Sequence, residues 1–176
     1  ALVPALLRAC RNATDPDLAL SAFETFVGVY GQRHALLQVL AAAPTALEFL
    51  VHFLGLGPYF SRMLCAAPEW FDMFADPVLI QTVSSGQALA QELAGSDEWL
   101  SGKQRLRRIR QRENLKIGMR QHAGHIQWPQ VFAELSALAD QLVLQAAAMV
   151  SQRLKLPSYG DQIGIVALGK WGTGEL

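Results

Sequence analysis

The sequence predicts a mainly α protein, a multi-helical bundle that ends in a single C-terminal strand. Three observations carry that expectation. Apolar residues recur at helical spacing up to Leu154, Pro and Gly stand at the corners between those segments, and only the run Ile163 to Leu168 reads as a β-branched apolar strand. That run passes at once into Gly169, Gly172 and Gly174. A chain of 176 residues that is 51% hydrophobic has enough apolar surface to bury a core of its own.

Taken in order, residues 1–11 read as a helix. Asp15-Pro16 supplies an N-cap followed by Pro at the first helical position, where the missing N–H costs nothing. The helix that follows places Leu20, Phe23, Val27 and Tyr30 on one face and ends at Gly31. A second helix runs from Arg33 to Ala43 and stops at Pro44, and Thr45 to Glu48 has the form of a capping box for a third, to about Leu54. Gly55 and Gly57 break it, and Pro58 opens another to Ala67. The stretch Leu40 to Leu50 is echoed by Leu64 to Phe74, with a Pro at the same place in each and Glu48 matched by Asp72 near a positive helix start. The echo is too short for a solenoid repeat.

Further on, Asp76-Pro77 predicts a short helix interrupted at Ser84-Ser85-Gly86, Gln87 to Leu93 is helical, and Ser101 to Gln104 is a second capping-box candidate. A long helix then runs to about His122, with Leu106, Ile109, Glu113 and Ile117 along one stripe. A carboxylate on a half-buried face requires a cation, and Arg110 and Lys116 stand three residues to either side of Glu113. Gly124 breaks the chain, and Pro129 to Leu154 is the longest helix, with Phe132, Leu135, Ala139, Leu142, Val143, Ala146, Val150 and Leu154 as an apolar band for an antiparallel neighbour. Pro157 to Asp161 is a linker. Three regions result: an array of short helices over 1–99, a long antiparallel helix pair over 100–156, and over 157–176 the linker, strand and glycine loop.

Charge excludes some function classes. The formal net charge is +0, so no global field argues for nucleic acid or a membrane. Lys103, Arg105, Arg107, Arg108, Arg110, Arg112, Lys116 and Arg120 face the single acid Glu113 within one helix, whereas the first hundred residues lean acidic. The arginines point all round their helix without interleaved aromatics, which favours docking on an acidic neighbour over a nucleic-acid stripe. Cys10 and Cys65 are lone thiols at wide spacing and fit a reducing cytoplasm. Leu36 to Phe60, the most apolar segment, is interrupted by Pro44, Glu48, His52 and Pro58, short of the roughly 20 clean residues that a membrane span needs. His122 and His125 have no cysteine or acid at ligand spacing, so no metal site is assigned. The sequence lacks an initiator Met and stops within its glycine-rich run, and it reads as a portion of a longer chain.

The candidate site is that run. Gly169, Gly172 and Gly174 let the backbone turn tightly and approach a ligand with no Cβ in the way, and such a loop directs several N–H groups at one anion.

Four blocks occur in order: Pro58-Tyr59-Phe60 through Pro68-Glu69-Trp70-Phe71, then Leu106 through Ile117, then Glu134-Leu135-Ser136-Ala137-Leu138-Ala139-Asp140, and finally Gly169 through Leu176. This ordered set resembles the glutamine synthetase adenylyltransferase (glutamate-ammonia-ligase adenylyltransferase) family. The resemblance implies a large enzyme with two nucleotidyltransferase heads of the polymerase-β type, one attaching AMP from ATP to a tyrosine of glutamine synthetase and the other removing it by phosphorolysis. It implies that the C-terminal strand begins such a fold, that Gly172 and Thr173 stand where its glycine pair belongs, and that Gly169, Gly172, Thr173 and Gly174 bind nucleotide. Thr173 departs from the commoner Gly or Ser. Two magnesium ions would be held by an Asp-x-Asp pair beyond Leu176, leaving this stretch inactive alone, with glutamine synthetase and a PII-type nitrogen signal protein as partners. Pro68-Glu69-Trp70 and Arg110 to Glu113 resemble the AMP-removing half, while the helices over 18–54 resemble the segment before the other head as well. Two readings compete: a non-catalytic helical interaction module, and a related nucleotidyltransferase with another substrate.

Overall fold

Proline and aspartate set the corners of the first helices. The computed structural model describes residues 2–75, 78, 81, 83, 84, 86–93, 99–156 and 164–176. The chain divides into two compact units, Ala1–Gln81 and Thr82–Leu176.

The first unit contains α1 (Leu2–Asn12), α2 (Pro16–Val29), α3 (Arg33–Ala42), α4 (Pro44–Leu54), α5 (Pro58–Ala66), a 3-10 turn (Pro68–Phe71) and α6 (Asp72–Ala75). Asp15 caps α2 as expected, its Oδ1 accepting from the Leu18 N–H at 2.9 Å. Helix α4 is the centre: α1, α2, α3 and α5 all pack against it, and Leu47, Leu50, Val51, Phe53 and Leu54 are fully buried. Burial of each such side chain stabilises the unit by about 2 kcal/mol. Phe26, Tyr30 and Phe71 close one side, with ring centroids 5.6 to 5.9 Å apart.

Two local expectations are corrected here. The buried face of α2 is Ala19, Ala22, Phe23 and Phe26, while Leu20 is exposed. Two alanines let α2 lie close to its neighbours, which rotates the helix from the face its larger residues mark. Thr45 and Glu48 do not form a capping box, because α4 starts one residue earlier at Pro44, whose ring already fixes the first helical φ. The echo at Pro68 gives a 3-10 turn before α6 where Pro44 gives a full helix. The helix start expected at Asp76-Pro77 lies outside the described residues.

The second unit contains α7 (Gly86–Leu93), α8 (Trp99–His122) and α9 (Trp128–Leu154). Helix α8 already includes Ser101, so the expected capping box at Ser101 to Gln104 is not its start. Helix α9 opens instead with glutamines, Gln127 at the N-cap and Gln130 in reciprocal bonds, the Gln127 N–H donating to Gln130 Oε1 at 3.2 Å. Lys155, in the left-handed region at φ 53°, ends it.

Helices α8 and α9 run antiparallel. Ile117 packs with Ile126, Val131 and Leu135 near their connection, and Ile109 packs with Leu138, Leu106, Leu142 and Leu89 of α7 farther along. The stripe through Leu106, Ile109, Glu113 and Ile117 is therefore the docking face. The facing stripe on α9 is Val131, Leu135, Leu138 and Leu142; Val150 and Leu154, expected within the band, are exposed. Helix α9 is long and apolar enough to cross a membrane by length and composition. Its charged Glu134 and Asp140 nonetheless have partners within this unit.

No strand occurs among the described residues, and the expected one is unpaired over 164–168, with Ile163 outside them. A strand exists through hydrogen bonds to a neighbour, and this run has none among the described residues. Val166 and Leu168 are 79% and 82% exposed.

Candidate functional site

The glycine-rich run forms a tight turn that sits on α9. Gly169 and Gly174 take φ of 65° and 73°, a region closed to most side chains, and so set both ends of the turn. Gly172 is required for a different reason. A Cβ there would stand 2.5 Å from the Ala167 carbonyl oxygen, so the chain doubles back on itself only where no side chain intervenes. Within the turn the Thr173 N–H donates to the Gly169 carbonyl at 3.1 Å, the Gly174 N–H to Trp171 at 3.1 Å and the Glu175 N–H to Lys170 at 2.6 Å. Thr173 Oγ1 adds contacts to the Gly169 and Lys170 carbonyls at 3.3 and 3.2 Å. Gly169, Gly172, Thr173 and Gly174 are thus brought together in one turn. Three of its N–H groups are directed at its own carbonyls, not outward to an anion.

Two bonds dock the turn. Trp171 Nε1 donates to Asp140 Oδ1 at 2.8 Å, and the Leu176 N–H donates to Ser136 Oγ at 3.4 Å. Ser136 and Asp140 are four residues apart and share one face of α9. Trp171 and Leu176 then wall an open, mainly apolar groove of about 350 Å³, floored by Ala139, Leu142, Val143 and Ala146 and edged by Arg107 and Arg110 of α8.

On the other side of the α8–α9 seam lies a smaller cavity of about 160 Å³, lined in part by Ser84, Glu113, Lys116, Arg120, Glu134 and Gln141. Its charges are neutralised in pairs. Glu113, 6% exposed, accepts from Arg112 Nε at 2.8 Å and lies 3.3 Å from Lys116 Nζ, which also donates to Ser84 Oγ at 3.2 Å. The partner expected at Arg110 is Arg112 instead, because Arg110 faces the groove. Arg112 turns its other nitrogens onto both oxygens of Glu92 in α7 at 2.9 Å. Burial opposes the charge of Arg112 more than any other single influence, but Glu92 and Glu113 together hold its pKa above the ordinary arginine value. Arg120 forks onto Glu134 of α9, with one bond at 2.8 Å and a shorter one from Nη2 to Oε1. The basic helix does dock on acidic neighbours, as its charge pattern predicts. Among the described residues no three His, Cys, Asp or Glu side chains gather as metal ligands.

Comparison with known proteins decides the family. A family model described as "Glutamate-ammonia ligase adenylyltransferase" matches residues 47–176. The chain belongs to that family. Three similar relatives each bear the name bifunctional glutamine synthetase adenylyltransferase/adenylyl-removing enzyme. The protein of Agrobacterium fabrum is 27% identical over 182 residues, covering 99% of this chain and 18% of that protein. That of Bartonella quintana is 26% identical, covering 99% and 19%. That of Thioalkalivibrio sulfidiphilus is 27% identical, covering 99% and 20%. The chain thus spans about a fifth of the length of these relatives. No solved structure matches.

The glutamate-ammonia ligase adenylyltransferase match runs from Leu47, within α4, through α9 and the glycine turn. Sequence reasoning located the turn but not its anchors. Ser136 and Asp140 stand in one of the blocks quoted for the resemblance, and their four-residue spacing was the available signal.

Proposed function

We propose that this chain is the helical region of a bifunctional enzyme that adenylylates and de-adenylylates glutamine synthetase, lying before the AMP-removing head, with the glycine turn at the mouth of that head's nucleotide site. The family membership and the names of the relatives support the activity and the substrate protein. The single observation that supports the site is the turn itself, with left-handed glycines at both ends and a backbone approach at Gly172 that excludes any side chain. Gly169, Gly172, Thr173 and Gly174 are its nucleotide-contacting residues in this reading. The helices act as its support: the α8–α9 seam is fixed by buried ion pairs and α9 carries the turn.

The whole enzyme uses ATP in one direction and phosphate in the other, works in the cytoplasm and answers to a PII-type signal protein. The described residues do not fit a magnesium site, since they offer no converging ligand set. Holding magnesium falls in this reading to an Asp-x-Asp pair beyond Leu176, and this stretch alone has no activity.

The test uses the full-length protein and glutamine synthetase carrying radiolabelled AMP on its tyrosine. With inorganic phosphate the protein should release label as ADP, and Gly172→Val should abolish release while helix content is unchanged. Release by the variant at the native rate contradicts the placement of the site. A native protein that neither adds nor removes AMP contradicts the activity.

A further inference from the structure

Helix α9 gives two polar groups to the glycine turn, and neither belongs to the apolar clusters that pack α9 on α8. Asp140 is exposed, and its carboxylate receives the indole N–H of Trp171 across 31 residues of chain at 2.8 Å. One helical turn earlier Ser136 receives the Leu176 N–H at 3.4 Å, just past the end of the turn. The seam with α8 uses Val131, Leu135, Leu138 and Leu142. Residues 164–168, which deliver the chain to the turn, have no sheet neighbour among the described residues. Among the described residues, these bonds to α9 are the long-range polar contacts that hold the turn in place.

From this juxtaposition we infer that Asp140 and Ser136 are positioning residues that latch the glycine turn onto α9 and so hold it at the mouth of the nucleotide site, with Trp171 as the latch. The inference rests on the proposed function of the turn. Asp140 acts through Trp171 and touches no reacting atom. A carboxylate holding an indole N–H is a charge-assisted bond, and at an exposed position its loss shifts an equilibrium by about five- to tenfold. The three N–H groups of Thr173, Gly174 and Glu175, bonded within the turn, report its order directly.

The experiment compares full-length native protein with Asp140→Ala, Asp140→Asn, Trp171→Phe and the Asp140→Ala/Trp171→Phe double variant. It reads amide exchange at residues 169–176 and the KM and kcat of AMP removal from adenylylated glutamine synthetase, with phosphate varied. Asp140→Ala and Trp171→Phe should each speed exchange at Thr173, Gly174 and Glu175 about five- to tenfold and raise KM for phosphate by a similar factor. The double variant should be no worse than either single one, and Asp140→Asn, which keeps an oxygen acceptor, should stay near native. If Asp140→Ala fails to fold, Trp171→Phe carries the same expectation.

Unchanged exchange, or additive effects in the double variant, overturns the latch. Faster exchange with native KM overturns its role in receiving nucleotide and leaves the proposed function standing. A native protein inactive on glutamine synthetase overturns both.

Discussion

Arg120 of α8 and Glu134 of α9 form a two-bond fork across the helix seam, with the arginine side chain almost wholly removed from solvent. Taking a guanidinium out of water is costly, and the carboxylate fork offsets that cost only while both partners stay in place. Glu134→Ala should therefore destabilise the unit by about 3 to 5 kcal/mol, since it leaves a buried charge uncompensated. Urea unfolding of the 176-residue chain checks this. A loss below about 1 kcal/mol, the level of a surface pair, would show that the arginine relaxes into water.

Glu113 makes a related prediction with a different outcome. It sits between Arg112 and Lys116, and Arg112 keeps a second carboxylate at Glu92. Glu113→Gln should cost less than Glu134→Ala, on the order of 2 kcal/mol, because only Lys116 is left without a full countercharge. The same denaturation series ranks the two.

In the first unit the ranking follows burial. Phe53→Ala removes a fully buried ring from α4 and should cost about 3 to 5 kcal/mol. Val39→Ala, on an exposed face of α3, should stay within about 0.5 kcal/mol of native. Asp15→Ala, which deletes the cap of α2, should fall between them at about 1 kcal/mol. Thermal unfolding of the three variants gives the order.

The thiols supply a pH dependence. Burial pushes Cys10 above the ordinary value of 9.0, a hydrogen bond from its backbone offsets part of that rise, and burial alone raises Cys65. The folded state then holds the thiol proton more tightly than the unfolded chain does. The stability this gives is fully present below the unfolded pKa near 9 and is lost as pH rises through the higher folded pKa, by at most about 1.4 kcal/mol for each unit separating the two. Unfolding measured from pH 8 to 10.5 should show a downward slope in the native chain that is reduced in Cys10→Ala. Equal slopes would place the thiol in water.

Much of the fold was legible because its signals are local. Asp15-Pro16, Pro44, Pro58 and Gly124 act through their own backbone, so the helices between them can be read without knowing the tertiary structure. The stripe from Leu106 to Ile117 was also legible, including the odd carboxylate within it. What failed needed neighbours. The buried face of α2 depends on which alanines let α4 come close, and the partner of Glu113 depends on where Glu92 stands, which turns Arg112 inward and leaves Arg110 at the groove. The strand expected at Ile163 to Leu168 is a different case: a strand is a property of its partner as well as of its own run, and residues 164–168 show no pairing among the described residues. The glycines of the site were visible as glycines. Their anchors, Ser136 and Asp140, showed only as two polar residues four apart on one helix, and nothing local tells which distant groups they hold, 40 and 31 residues away.

The central claim is that the turn over 169–174 receives a nucleotide. Amide exchange of the full-length protein, with and without ATP and magnesium, tests it most directly. The account predicts that nucleotide slows exchange across residues 164–176. Protection confined to other parts of the protein, with this segment unchanged at saturating nucleotide, would contradict it.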